Sequence, residues 1–242
     1  MLPYFDKIRE LLALAEEKNA ATIEAVSQRV ADSIAAGGVL HAFGTGHGHM
    51  LAEEIFYRAG GLVPVNAILD SALMLHEGAL SSSLAERLPG YAEVVLSRYE
   101  VRAGEVIIIA SNSGRNSVPV EMALAAQTRG LQVVALTSLA HASAHPSRHP
   151  SGQRLHELAD YVLDNCGVPG DAALTVPGLA EPTGPTSTVV GVALLHALVV
   201  ATVTKLVAQG ITPPLFRSAN IGDTGDHNAR LIAQYQSRLR HL

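Results

Sequence analysis

Three polar loops carry the residue types in this chain that could do chemistry. Ser111-Asn112-Ser113-Gly114-Arg115-Asn116-Ser117 alternates hydroxyls with amides and a glycine directly before a predicted helix. Gly44-Thr45-Gly46-His47-Gly48 is a glycine-rich turn, and Thr183-Gly184-Pro185-Thr186-Ser187-Thr188 opens an apolar stretch beginning at Val189. A helix N-terminus presents unpaired N–H groups and the positive end of its dipole, which suit a phosphate dianion. Hydroxyls complete the oxyanion shell without adding charge, and Gly114 lets the backbone approach closely. Any one such run reads equally well as a helix cap, because Ser and Asn are the usual capping residues. Three in one chain, each following a predicted strand or opening a predicted helix, favour a binding site. The first loop is not a dinucleotide fingerprint: it lacks the third glycine, and no acidic residue ends the next strand where that motif needs one.

The elements that must position these loops are legible in the apolar pattern. Phe5, Ile8, Leu11, Leu12, Ala15, Ile23, Val26, Val30 and Ile34 have helical spacing over residues 4–36, closed by Gly37-Gly38. Val39–Phe43 reads as a buried strand before the first loop, with a helix expected over His49–Ala59. Glu105–Ala110 precedes the second loop, and a helix is expected from Val118 to Arg129, stopped by Gly130. Residues 132–137, 159–164 and 62–66 read as further strands. Five nearly all-apolar strands alternating with helices predict an α/β fold whose parallel sheet is covered on both faces. In such a sheet, ligands bind beyond the carboxyl ends of the strands, where the three loops would meet. Residues 138–154 are expected to be a long exposed loop and residues 165–185 to be irregular, with a polar C-terminal helix from Asp226 to Leu242. No linker divides the chain. One domain is expected, with an N-terminal helical extension over about residues 1–37 and a C-terminal helical tail over about 211–242.

Composition limits the function further. The chain has 242 residues, 48% hydrophobic and 4% aromatic, with no Trp. Its core must therefore be built from Ala, Val, Leu and Ile. The net charge of −5 and the lack of a basic block argue against nucleic acid as a partner. The single Cys166 rules out an internal disulfide and fits a cytoplasmic location. The first residues show no basic segment followed by an apolar run, so no signal peptide is expected. The stretch Val189–Val207 is long enough to cross a membrane, but it contains His196 and Lys205 and reads better as a core helix. No membrane is expected as a partner.

Gly44-Thr45-Gly46, Ser111-Asn112-Ser113-Gly114 and Thr186-Ser187-Thr188 together resemble the signature loops of the sugar isomerase (SIS) domain, over roughly residues 20–210. Ser218-Ala219-Asn220-Ile221-Gly222, with Asp226-His227-Asn228, resembles the C-terminal segment of one phosphosugar-isomerase-like branch of that family. The resemblance implies a flavodoxin-like three-layer sandwich, a homodimer or homotetramer with sites shared between subunits, and a sugar phosphate as ligand. It implies no organic cofactor and no metal. Ala52-Glu53-Glu54 is similar to the run that carries the catalytic Glu of phosphoheptose isomerases. Thr188 and His196 match the spacing between a polar site residue and their catalytic His, although the family's polar residue is Gln. Asp70 matches an acidic residue after the second strand, and Ser111, Ser113 and either Asn116 or Ser117 match phosphate-binding hydroxyl positions.

These matches assign roles. Glu53 becomes the candidate base that moves a proton between C2 and C1 through an enediolate. Otherwise it is a solvated helix charge. His196 becomes the candidate for ring opening or proton shuttling, against the alternative of a satisfied core histidine. Thr45, Gly46, His47, Asp70, Ser111, Asn112, Ser113, Asn116, Ser117, Thr186, Ser187 and Thr188 are expected to contact phosphate or sugar. His76, Glu77 and His227 are further candidates. His141, His145 and His149 have helical spacing for a metal, but Pro146 and Pro150 argue against the helix. The expected activity is aldose–ketose isomerisation. The alternatives are an etherase or deaminase of an amino-sugar phosphate, and a sensor without catalysis.

Overall fold

The structure, a computed structural model, describes residues 2–220 and 225–242. Helix α1 spans Pro3–Ala35, with Pro at its start, where its missing N–H costs nothing, and Gly37 in the left-handed region just past its end. Strands β1 (Leu40–Gly44), β2 (Val65–Ile68), β3 (Val106–Ala110), β4 (Gln132–Thr137) and β5 (Tyr161–Asp164) form one parallel sheet in the order β2-β1-β3-β4-β5. This is the flavodoxin-like order, with a topological switch point between β1 and β3.

Alternation along the strands splits the core into two layers. Leu40, Ala42, Ile108, Val134 and Leu136 face α1, α2 (His49–Glu54) and α8 (Ser187–Ala208). Phe43, Ile107, Ile109, Val133 and Ala135 face the other way, against α4 (Tyr91–Leu96) and α5 (Ser117–Thr128). The shorter helices α3 (Ala79–Ala85), α6 (Leu139–Ser143) and α7 (Leu155–Leu158) lie in the connections. After α8 the chain packs Phe216, Leu231, Tyr235 and Leu239 onto Val39 and Val63, through α9 (His227–Tyr235). The five parallel strands, helices on both faces and long first helix agree with the sequence expectation.

Several boundaries differ. The helix after the first loop ends at Glu54, not Ala59, because Tyr57 takes a positive φ and the chain turns to reach β2. The second strand begins at Val65 instead of Leu62, since Leu62 pairs antiparallel with Leu215 of the C-terminal segment. Residues 165–185 are not wholly irregular: β6 (Ala172–Leu174) and β7 (Thr183–Pro185) pair as an antiparallel hairpin. Within 138–154, Ser138 caps the short helix α6. The C-terminal helix is half its expected length. The apolar stretch at 189–207 is a helix long and apolar enough to cross a membrane. One face of it, including Val190, Leu194, Leu198 and Leu206, is buried in the core against α1 and α2.

A buried polar cluster stitches the amino ends of the strands together. His41 accepts at Nδ1 from Asn66 Nδ2 (3.2 Å) and donates from Nε2 to Glu105 Oε2 (2.8 Å). Arg238, from the C-terminal segment, donates to Glu105 Oε1 at 2.6 Å. Burial alone would raise the Glu105 pKa. The hydrogen bonds from His41 and Arg238 outweigh it and lower the carboxyl to about 2. The cluster lies opposite the three polar loops, so its role is to hold the tail onto the sheet.

Candidate functional site

The first loop is shaped by close backbone approach. A side chain on Gly44 would lie 2.2 Å from the Gly48 carbonyl, and one on Gly48 would lie 2.4 Å from Ala110 O. Only glycine lets β1 turn this tightly across the end of β3, which brings His47 and Gly48 beside Ser111 and Asn112. The second loop is held from below. Asn165 donates from Nδ2 to Asn112 Oδ1 (2.9 Å), Thr137 Oγ1 donates to Asn112 O (3.1 Å), and Gly114 N donates to Ser111 Oγ (3.2 Å). The third loop brings Ser187 and Thr188 to the same place at the start of α8. His47, Ser111, Asn112, Ser187 and Thr188 thus line one cavity at the carboxyl ends of the strands, with Asn165 as a sixth polar wall. Asn165, which directly follows β5, is absent from the sequence expectation. Its amide type directly after a strand is the only signal there.

The cavity holds only about 40 Å³. Small-molecule sites usually enclose several hundred. Asp171, which the sequence reading also missed, bonds the α8 end of the same wall. The Asp171 carboxylate sits on the N-terminus of α8, accepting from Thr186 N (3.1 Å), Ser187 N (2.9 Å) and Ser187 Oγ (2.5 Å). A carboxylate of the chain itself therefore occupies the donors that an external anion would use. Asp171 takes a positive φ of 66°, and Cys166, at the start of the same segment, one of 58°. Such backbone is sparsely populated outside glycine, although Asp tolerates it. Thr186 is fully buried.

The remaining binding candidates in the loops fall in three places. Thr45 is buried in the first loop, and Gly46 carries a positive φ of 54°. Ser113 is partly exposed, Ser117 is buried in the first turn of α5, and Asn116 is buried between Glu86 and Arg148. Asp70, just past β2, is nearly buried. It accepts from Ala72 N (3.1 Å) and Tyr91 OH (2.9 Å) and pairs with Arg98, so its oxygens are directed into the protein.

Neither catalytic candidate lines the cavity, and the two have different partners. Glu53 is exposed on α2, with Oε2 3.4 Å from Nε2 of the buried His49. The Nδ1–H of His49 donates to Gly46 O, and its ring meets His76 edge to face at 6.5 Å. His196 is half-buried on α8, roughly 13 Å along the helix from Ser187 at 1.5 Å per residue. Its partner is Glu54, at 3.0 Å, and Arg58 binds that carboxylate too. The structure therefore pairs His196 with Glu54 and Glu53 with His49. His76 and Glu77 are exposed, and Glu77 lines a separate hollow with Ser71 and Ser81. His227 donates to Leu215 O at 2.9 Å near the end of α1. That places it by the amino ends of the strands, away from the cavity. Asn228 bonds Arg217, and the middle of the C-terminal motif, Ile221–Thr224, lies outside the described residues.

This fold and these loops define a class. The SIS domain family model matches residues 3–138, and the chain belongs to the SIS domain family. Its close relatives are UPF0309 proteins. One from Geobacillus thermodenitrificans is 44% identical over 236 residues, covering 98% of this chain and 95% of the relative. One from Caldanaerobacter subterraneus subsp. tengcongensis is 46% identical over 242 residues, covering 99% and 98%. Among solved structures, a phosphoheptose isomerase from Neisseria gonorrhoeae superposes with a TM-score of 0.56 at 18% identity, covering 84% of this chain and 96% of that one. A phosphoheptose isomerase from Francisella tularensis gives 0.55 at 14% identity, covering 84% and 95%. These two structures share the fold with this chain.

Proposed function

We propose that the protein binds a phosphorylated sugar at the carboxyl ends of β1, β3 and β4, with the phosphate on the Ser111–Ser117 loop, and isomerises it between aldose and ketose. The observation that carries the reading is the convergence of His47, Ser111, Asn112, Ser187 and Thr188 on one cavity. Hydroxyls, amides and helix N-termini suit a phosphate, and an imidazole beside them suits a sugar hydroxyl. The solved phosphoheptose isomerases of the same fold add the reaction class. Glu53 serves as the base and His196 as the proton shuttle. Neither lines the cavity of one chain, so the reading calls for a second subunit to complete the site. The exposed Val189, Val200 and Val207 on α8 support a homodimer or homotetramer built on that helix. The same incompleteness favours a second reading, a sugar-phosphate sensor without catalysis.

Ser111→Ala with Ser113→Ala is expected to weaken sugar-phosphate binding by about 1–3 kcal/mol, the scale of hydrogen bonds to a charged group. Unchanged affinity by calorimetry puts the phosphate elsewhere. NMR of the bound sugar phosphate in deuterated water then separates enzyme from sensor. An isomerase exchanges deuterium into C2, and Glu53→Gln slows that by roughly 10²–10⁴-fold. A sensor exchanges nothing. Light scattering is expected to give a dimer or larger, and a monomer at micromolar concentration removes any shared site.

A further inference from the structure

Many guanidinium groups in this acidic chain are held by carboxylates, as in Arg98–Asp70, Arg129–Glu93 and Arg238–Glu105. Three at the far end of the Ser111–Ser117 loop are not. Among the described residues, Arg87, Arg115 and Arg148 form no ion pair, although they lie together. The Arg148 backbone N–H donates to Arg115 O at 2.8 Å, and its guanidinium donates to Asn116 Oδ1 at 2.9 Å. Asn116 Nδ2 in turn donates to Glu86 Oε1 at 2.6 Å, and Glu86 O accepts from Val118 N at 3.1 Å. The end of α3, the loop and the segment before α7 thus meet at one point, with Arg87 next in sequence to Glu86. The Glu86 carboxylate beside them is turned to the Asn116 amide. The Arg115 Nε is buried with no hydrogen-bond partner.

Placing like charges together costs free energy, and so does burying an unpaired donor. Burial lowers the Arg115 pKa, and the charges of Arg148 and Arg87 lower it further. The charge of the same guanidinium reaches His141. An anion seated among the three arginines would relieve all of these costs at once, and the planar fork of a guanidinium fits a phosphate or carboxylate with two hydrogen bonds. The cavity touches only the beginning of the loop, at Ser111 and Asn112. The arginines flank its other end.

We propose that Arg87, Arg115 and Arg148 form a second anion subsite, and that the ligand is a sugar carrying two anionic groups: a phosphate at the Ser111 end of the loop and a second phosphate or a carboxylate at the Arg115 end. The position of the first anion rests on the proposed function above. The arginine subsite does not.

The probe is inorganic phosphate, titrated calorimetrically into the full chain at low ionic strength. Two binding events per chain are expected. Arg115→Gln with Arg148→Gln is expected to weaken one of them by at least about tenfold and leave the other. Arg87→Gln, at an exposed position, is expected to weaken the same event and guards against a misfolded double variant. Phosphate binding that is unchanged in all the arginine variants overturns the subsite. Ser111→Ala with Ser113→Ala separates the two ideas. If the arginine-dependent event is present and no event depends on the serines, the subsite stands and the loop loses its phosphate. The ligand class is read by competition against bound phosphate. Sugars with two anionic groups are expected to compete more strongly than their single-phosphate counterparts, and equal competition overturns the class.

Discussion

Asp171→Asn tests whether the chain guards its own anion site. Asn keeps the size, one acceptor oxygen and a tolerance for positive φ, and removes the charge. In the native chain the carboxylate accepts from two backbone N–H groups and a hydroxyl at the start of a 22-residue helix. Hydrogen bonds to a charged acceptor contribute about 1.5–3 kcal/mol and neutral ones about 0.5–1.5. A charge at a helix end adds roughly 0.3–1 kcal/mol. Because Asn still satisfies part of the set, the net loss is about 1–2 kcal/mol. In a chain of this size that lowers the melting temperature by roughly 2–8 °C. Ligand binding is expected to move the other way. A phosphate approaching α8 must displace the carboxylate or tolerate it, and removing it is expected to tighten phosphate binding by about tenfold, or 1.4 kcal/mol. The assay is a thermal melt with and without millimolar inorganic phosphate. The variant should melt lower when free and gain more from phosphate than the wild type. A variant that melts like the wild type, or gains less, refutes the reasoning: the carboxylate would then be idle or part of the ligand's own shell.

Three further outcomes follow from the same geometry. The Glu105 carboxyl is held at about 2, against an ordinary 4.5, so its contribution is fully present above about pH 4.5 and is lost as the pH falls towards 2. That is about 3 kcal/mol of acid-dependent stability, and urea midpoints measured across that range should show its absence in Glu105→Gln. Gly48→Ala drives a methyl to within 2.4 Å of Ala110 O and is expected to cost at least about 1–3 kcal/mol, read by denaturant unfolding. Asn165→Ala leaves Asn112 Oδ1 and Gly167 N without their partner. It is expected to cost about 1–3 kcal/mol and to speed hydrogen exchange at residues 111–114, and unchanged exchange there would show that Asn165 does not brace the loop.

The sequence by itself determined the sheet, its loops and their meeting place. Apolar runs at β1, β3 and β4, each followed by a polar turn and a helical pattern, are best satisfied by buried parallel strands with helices on both faces. Glycine at 44, 46 and 48 announced a tight turn whose reason is visible in the backbone of Ala110. The tertiary structure decided which polar groups the protein uses on itself. Asp171 lies 16 residues before Ser187 in a stretch with no periodic signal, and only the β6–β7 hairpin folds it back onto α8. The pairing of His196 with Glu54 instead of Glu53 depends on how α2 turns against α8, and adjacent residues on a helix point about 100° apart. His227 and Asp70 look in sequence like other candidates. Their partners, Leu215 O and Arg98, come from segments whose approach no local pattern reveals. Local spacing shows which face a side chain can occupy, but what lies opposite that face is set by long-range packing.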